Sequence, residues 1–114
     1  MMRIGTDIVQ IDRIGETIAG RILTLREMAL FETLRLDSRR KEWLAGRFAA
    51  KEAVIKAIST NEIVVGPRDV EVLPDPDGRP VATCKKRPDL ELAVSIAHER
   101  AYAVAFCVAT PCGV

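Results

Sequence analysis

Aromatic side chains are scarce: three phenylalanines, one tyrosine and one tryptophan make up 4% of the chain. A core made with so few rings must be aliphatic, and base-stacking platforms for nucleic acid are nearly absent. Histidine occurs once, as His98, and the three cysteines, Cys84, Cys107 and Cys112, form no C-x-x-C pair. That spacing argues against a zinc site and against a disulfide framework. No apolar run approaches the roughly 18 residues of a membrane span, and Asp7 interrupts the N-terminus before a signal peptide could form. A net charge of +1 removes the general electrostatic reason to bind nucleic acid. These absences predict a cytoplasmic protein with neither nucleic acid nor membrane as partner.

What is present is an ordinary globular balance, 48% hydrophobic and 29% charged. At 114 residues the expectation is one domain, 1–114, with a modest core that oligomerisation would help. The cations are uneven: Arg13, Arg21, Arg26, Arg35, Arg39, Arg40 and Lys41 all precede the middle of the chain.

The stretch from Trp43 to Ile58 predicts a long central helix, since Gly46 is its one weak helix former. Leu44, Phe48, Ile55 and Ile58 fall on one stripe, widened by Trp43 and Val54. Ala45, Ala49 and Ala53 line another side with methyl groups only. Such a helix belongs in an interior, packed on more than one face. Yet it carries Arg47, Lys51, Glu52 and Lys56. The Glu52–Lys56 spacing is that of a common solvated helix pair. Against that stands the lack of a polar face for the pair to occupy, because a buried charge must be paired or bound to something. Three cations and a carboxylate on a buried helix suit a phosphate ligand and a hard metal ion.

Along the chain, Met2–Ile11 alternates as a strand, with Asp7 on the same face as Val9 and Ile11. Asp12 is placed to cap a helix whose apolar positions are Ile14, Ile18, Ile22 and Leu25. Thr24 to Glu27 has the capping-box pattern before a second short helix, and Asp37-Ser38 is placed to cap the central one. After the polar connection Ser59-Thr60-Asn61-Glu62 the period changes to that of strands. Val70 to Leu73 and Val81 to Cys84 flank the turn signal Asp75-Pro76-Asp77-Gly78. Lys85 to Asp89 reads as a charged loop. Leu90–Ala97 and Tyr102–Val108 alternate across a tight connection, and Cys107 reads as core. The fold class is α+β, an antiparallel sheet packed on a long central helix.

Asp7 and Glu52 together match the one or two carboxylates that Mg²⁺ takes from protein, with phosphate oxygens and water completing the octahedron. Lys56, one turn beyond Glu52, could reach the same phosphates, and Arg47 and Lys51 could grip others. His98 lies at a strand end, close in sequence to Ser95. Residue spacing alone reaches as far as a Mg²⁺-dependent enzyme that binds a phosphate ester.

Ile4-Gly5-Thr6-Asp7-Ile8-Val9, then Arg47-Phe48-Ala49-Ala50-Lys51-Glu52-Ala53-Val54-Ile55-Lys56-Ala57, then Ser95-Ile96-Ala97-His98 resemble, in order and spacing, the holo-acyl-carrier-protein synthases. These form the small single-unit class of the 4′-phosphopantetheinyl transferase superfamily. The resemblance covers nearly the whole chain and implies that superfamily's fold. It also implies an enzyme that moves the 4′-phosphopantetheine arm of coenzyme A to a serine of apo acyl carrier protein. Adenosine 3′,5′-bisphosphate would be released and fatty-acid biosynthesis supported. By the same resemblance Asp7 and Glu52 are Mg²⁺ ligands and Lys56 sits at the pyrophosphate. Arg47 and Lys51 take phosphate or structural roles, and Ser95 with His98 contacts the nucleotide end of coenzyme A. Arg13 and Arg21 would dock the carrier protein's acidic helix. A homotrimer with active sites between subunits is implied as well. The base that takes the serine proton is left open between Glu52 and a water. One departure is the connection Ser59–Glu62, which lacks the glycine that the family usually carries near the coenzyme A phosphates. On that departure rests an alternative: a non-catalytic module of the same fold that binds coenzyme A or a carrier protein.

Overall fold

The computed structural model of the chain describes residues 1–113. A three-stranded antiparallel sheet is ordered β1 (Arg3–Gln10), β5 (Tyr102–Pro111), β4 (Leu90–His98). Across one face of it lies the central helix, α3 (Asp37–Ile58). A separate hairpin of β2 (Val70–Pro74) and β3 (Pro80–Cys84) packs with β2 against the helix and β3 beside β4. Gly78, at φ +85°, and Asp75, whose Oδ1 accepts the Asp77 and Arg79 N–H groups at 2.9 Å, make its turn. The α+β class and the long central helix are therefore as the sequence predicts.

Small residues let sheet and helix approach closely. On β5 the helix-facing positions are Ala103, Ala105, Cys107 and Ala109, all buried, against Ala49, Ala50, Ala53 and Ala57 of α3. Gly5 completes the surface, because a Cβ there would sit 1.9 Å from the Ala53 carbonyl oxygen. The helix runs diagonally: Gly46 lies against Ile96 of β4, and Ala53 against Gly5 of β1. The large side chains Ile4, Ile8, Tyr102, Val104 and Phe106 take the opposite face of the sheet and are exposed.

Several local expectations are corrected. The first helix is not continuous. Residues 11–22 form two 3-10 turns, Ile11–Arg13 and Glu16–Ile18, and one turn of helix, α1 (Ala19–Ile22). Gly15 interrupts the helical period, and Asp12 lies inside the first turn without capping it. Leu25 belongs instead to α2 (Leu25–Thr33) and is almost fully exposed. The capping box of α2 does form: Thr24 Oγ1 accepts the Glu27 N–H, and Glu27 Oε1 accepts the Thr24 N–H. Neither Asp37 nor Ser38 caps α3, whose first turn already contains both. The charged loop Lys85–Asp89 proves to be a fastening. Arg87 is buried, donates to the Ile58 carbonyl at the C-terminus of α3, and is held by Asp89. Lys86 donates to the Val64 carbonyl and pairs with Asp69.

Candidate active site

Asp7 faces α3 because β1 alternates and Gly5 and Val9 share that face. Its Oδ1 receives Lys56 Nζ at 2.9 Å, and Lys56 also donates to the Thr6 carbonyl at 3.0 Å. Asp7 Oδ2 is buried and has no partner. Glu52 lies one helical turn before Lys56. Burial lifts its carboxyl above the ordinary range and the charge of Asp7 lifts it further, while Lys56 partly opposes both. A raised carboxyl beside a second carboxylate with an orphaned oxygen fits a hard divalent cation. Among the described residues no third acidic, histidine or cysteine side chain joins them. Mg²⁺ held by Asp7 and Glu52 would therefore keep most of its octahedron for water and phosphate oxygens.

A second group forms where α3 passes β4. Arg39, Glu42, Trp43, Gly46 and Arg47 face Ile96 and His98 across a cavity of about 100 Å³. The Arg47 guanidinium stacks 4.5 Å above the Trp43 ring, and its Nε is buried without a partner. Burial lowers its pKa, with the charge of Glu27 opposing. His98 Nδ1 stands 3.9 Å from Glu42 Oε2, too far for a hydrogen bond. Arg39 is the residue that sequence reasoning missed here. Its signal is positional, since residues 39, 43, 46 and 47 share one helical stripe.

The two groups occupy different sides of α3. Five residues separate Arg47 from Glu52, roughly 500° of helix, so they project about 140° apart. Within one chain the structure unites Asp7, Glu52 and Lys56, and separately Arg47 with His98. It does not bring Ser95 to either. Ser95 is exposed on the outer sheet face, opposite to Val94 and Ile96, which pack toward α3. Arg13 and Arg21 are exposed and make no ion pair among the described residues.

The phosphate-gripping role expected of Lys51 is corrected. Lys51 is buried at 1% exposure, with Nζ 2.8 Å from Glu27 Oε1. Its Nζ also donates to the Pro67 carbonyl at 2.9 Å and to the Val70 carbonyl. An ammonium has three N–H donors, and all are used inside the protein. Glu27, itself fully buried, accepts the Val72 N–H at 2.7 Å with its other oxygen. The pair thus joins α2, α3 and β2, which is the structural role.

The connection Ser59–Glu62 keeps its shape without glycine. Ser59 Oγ accepts the Val65 N–H, Thr60 Oγ1 accepts the Ile63 N–H, and the Thr60 N–H reaches the Ile63 carbonyl. No non-glycine residue among those described has a positive φ.

Two carboxylates, one on a helix and one on the strand pressed against it, with a lysine beside them, suit a phosphate ester and a divalent cation. Comparison with known proteins narrows that reading. The model of the 4′-phosphopantetheinyl transferase superfamily matches residues 3–107. A holo-[acyl-carrier-protein] synthase of Bacillus pumilus is 40% identical over 112 residues, 90% of this chain and 89% of that protein. Its counterpart in Clostridium novyi is 37% identical over 119 residues, 92% of this chain and 84% of that one. The crystal structure of the Bacillus anthracis synthase, in complex with CoA (3′,5′-ADP), superposes with a TM-score of 0.82 at 35% identity. That match covers 96% of this chain and 97% of the other. The chain belongs to the 4′-phosphopantetheinyl transferase superfamily.

Proposed function

We propose that this protein is a holo-acyl-carrier-protein synthase, transferring 4′-phosphopantetheine from coenzyme A to a serine of apo acyl carrier protein and so supporting fatty-acid biosynthesis. The relatives named holo-[acyl-carrier-protein] synthase and the solved complex with CoA support the reaction class. In this reading residues 1–114 act as one transferase domain in the cytoplasm, where both substrates occur. The observation that carries the site assignment is the orphaned Oδ2 of Asp7 beside the raised carboxyl of Glu52.

The serine oxygen forms a bond to the β-phosphorus of coenzyme A. The bond from that phosphorus to the bridging oxygen breaks, and its electron pair leaves on adenosine 3′,5′-bisphosphate. The serine proton passes to a base at the carboxylate pair, Glu52 or a water beside it. Mg²⁺, when bound by Asp7 and Glu52, supplies charge neutralisation on the pyrophosphate. Lys56 is half-exposed and free to exchange Asp7 for a phosphate oxygen, so its charge follows the leaving group. Arg47 and His98, with Arg39 beside them, hold the nucleotide phosphate. Arg13 and Arg21 receive the carrier protein's acidic helix.

Coenzyme A carries phosphate at two separated places, and the two clusters lie on different sides of one helix. A ligand reaching both is best served by two copies of the chain. The exposed face of Ile4, Ile8, Tyr102, Val104 and Phe106 supports association, and the family resemblance supports a trimer with sites between subunits.

The test is the intact mass of an apo acyl carrier protein after incubation with this protein, coenzyme A and Mg²⁺. A gain of one phosphopantetheine that chelator abolishes is the expected result. Coenzyme A binding without any gain would overturn the reading in favour of a non-catalytic module.

A further inference from the structure

Residues 11–22 are held to the rest of the molecule by a few buried side chains more than by backbone hydrogen bonds. After the Ile11 N–H, which reaches the Ala101 carbonyl at 2.8 Å, the backbone hydrogen bonds of this segment are local. Ile14, Ala19 and Ile22 anchor it in the core, but between Ile14 and Ala19 only Ile18 is even half-buried. One side-chain hydrogen-bonded link, among the described residues, joins the segment to another element. Arg40 of α3 donates from Nε to Glu16 Oε2 at 2.7 Å and from a terminal nitrogen to Glu16 Oε1 at 3.0 Å.

Arg40 is itself held on three sides. Its other terminal nitrogen donates to the Leu34 and Phe31 carbonyls, at 2.9 and 3.2 Å, closing the C-terminus of α2. Its guanidinium carbon lies 4.1 Å from the Phe31 ring centre. A planar cation fixed by a ring and two carbonyls offers its remaining edge in one orientation, which is what makes a bidentate carboxylate pair directional. Glu16 lies three residues after Arg13 and five before Arg21.

We propose that Arg40 and Glu16 are positioning residues for carrier-protein docking, holding the 12–22 segment so that Arg13 and Arg21 present one cationic surface to an acidic helix. This rests on the synthase reading above. Neither residue touches coenzyme A in that reading, so the effect belongs to the carrier substrate alone.

Charge and position predict opposite signs for Glu16→Gln. Removing an acid from between two docking arginines would strengthen attraction for an acidic partner if charge alone mattered. Loss of the clamp would weaken it. Steady-state kinetics of Glu16→Gln and Arg40→Lys, with apo acyl carrier protein varied at saturating coenzyme A, separates the two. The expected result is a KM for carrier protein raised about fivefold, the scale of one exposed ion pair, with kcat and the KM for coenzyme A unchanged. The exchanged pair Glu16→Arg with Arg40→Glu should recover part of the loss seen in Arg40→Glu alone. A KM that falls or stays the same in Glu16→Gln overturns the proposal. So does a parallel loss of kcat and coenzyme A binding, the mark of general loosening. If the unaltered protein transfers nothing, the synthase reading has failed; if it transfers normally and the variants match it, only the clamp has.

Discussion

Lys51 and Glu52 are neighbours on one helix with opposite tasks. Lys51 faces inward onto Glu27, Pro67 and Val70, and Glu52 lies within the electrostatic reach of Asp7 and Lys56. Their substitutions should separate stability from activity. Lys51→Met leaves Glu27 buried without its cation, which costs about 3–5 kcal/mol of folding stability. Glu52→Gln should do the reverse. A carboxyl lifted in the folded state stabilises the fold while protonated, and that contribution is lost as pH rises through its folded value. At neutral pH the amide should therefore leave stability unchanged or raise it. Transfer should fall about 100-fold or more if Glu52 is the metal ligand proposed above. Denaturant melts and the carrier-protein mass assay on both variants check this. An unstable Glu52→Gln, or an active one, would refute the assignment.

At the scale of the elements, packing distance explains most of what the sequence shows and hides. The alanines of α3 announce a helix pressed closely against something, and the alternation of β4 and β5 announces the sheet. That Ala103 to Ala109 face the helix while Tyr102, Val104 and Phe106 face out is less legible, because hydrophobicity alone would send the larger set inward. Volume decides: with Gly5 at 1.9 Å from the Ala53 oxygen for any added Cβ, there is no room for large residues between sheet and helix. Gly5→Ala should accordingly destabilise by at least about 3 kcal/mol, as backbone and not a flexible side chain must move. Circular dichroism melts measure it, and a melt like that of the unaltered protein would show that sheet and helix can separate at no cost. Asp7, Glu52 and Lys56 were legible as charges where the pattern wanted apolar residues. Arg40, Arg87 and Glu27 were not, because each is tied to partners distant in sequence that no local period marks. The break of the first helix followed from Gly15, whose weight against the apolar period is visible only once Ile14 and Ala19 are seen to anchor separate turns.

At the scale of the whole molecule the outlying fastenings are acidic groups paired to cations. The Arg40 hydrogen bonds hold Glu16 below its ordinary carboxyl range, and the Arg87 hydrogen bonds do the same for Asp89. The Gly66 N–H lowers Asp69, with help from Lys86. A lowered folded value gives stability that is complete above the ordinary carboxylate range and is lost as pH falls through the folded values. In Glu52→Gln, which removes the one opposing carboxyl titration, the melting temperature should hold steady from about pH 8 to 5 and decline below about pH 4. A decline already complete at pH 5 would place the sensitive groups elsewhere. The arrangement of the two clusters makes the last demand on the assembly. If Asp7, Glu52 and Lys56 of one copy work with Arg47 and His98 of another, Asp7→Asn and His98→Ala damage different halves of each site. Each variant alone should be nearly inactive. Co-expressed as mixed oligomers, they bring some intact halves together at the interfaces between unlike copies. Transfer activity well above the sum of the two variants is then expected, and purely additive activity would mean that each chain completes its own site.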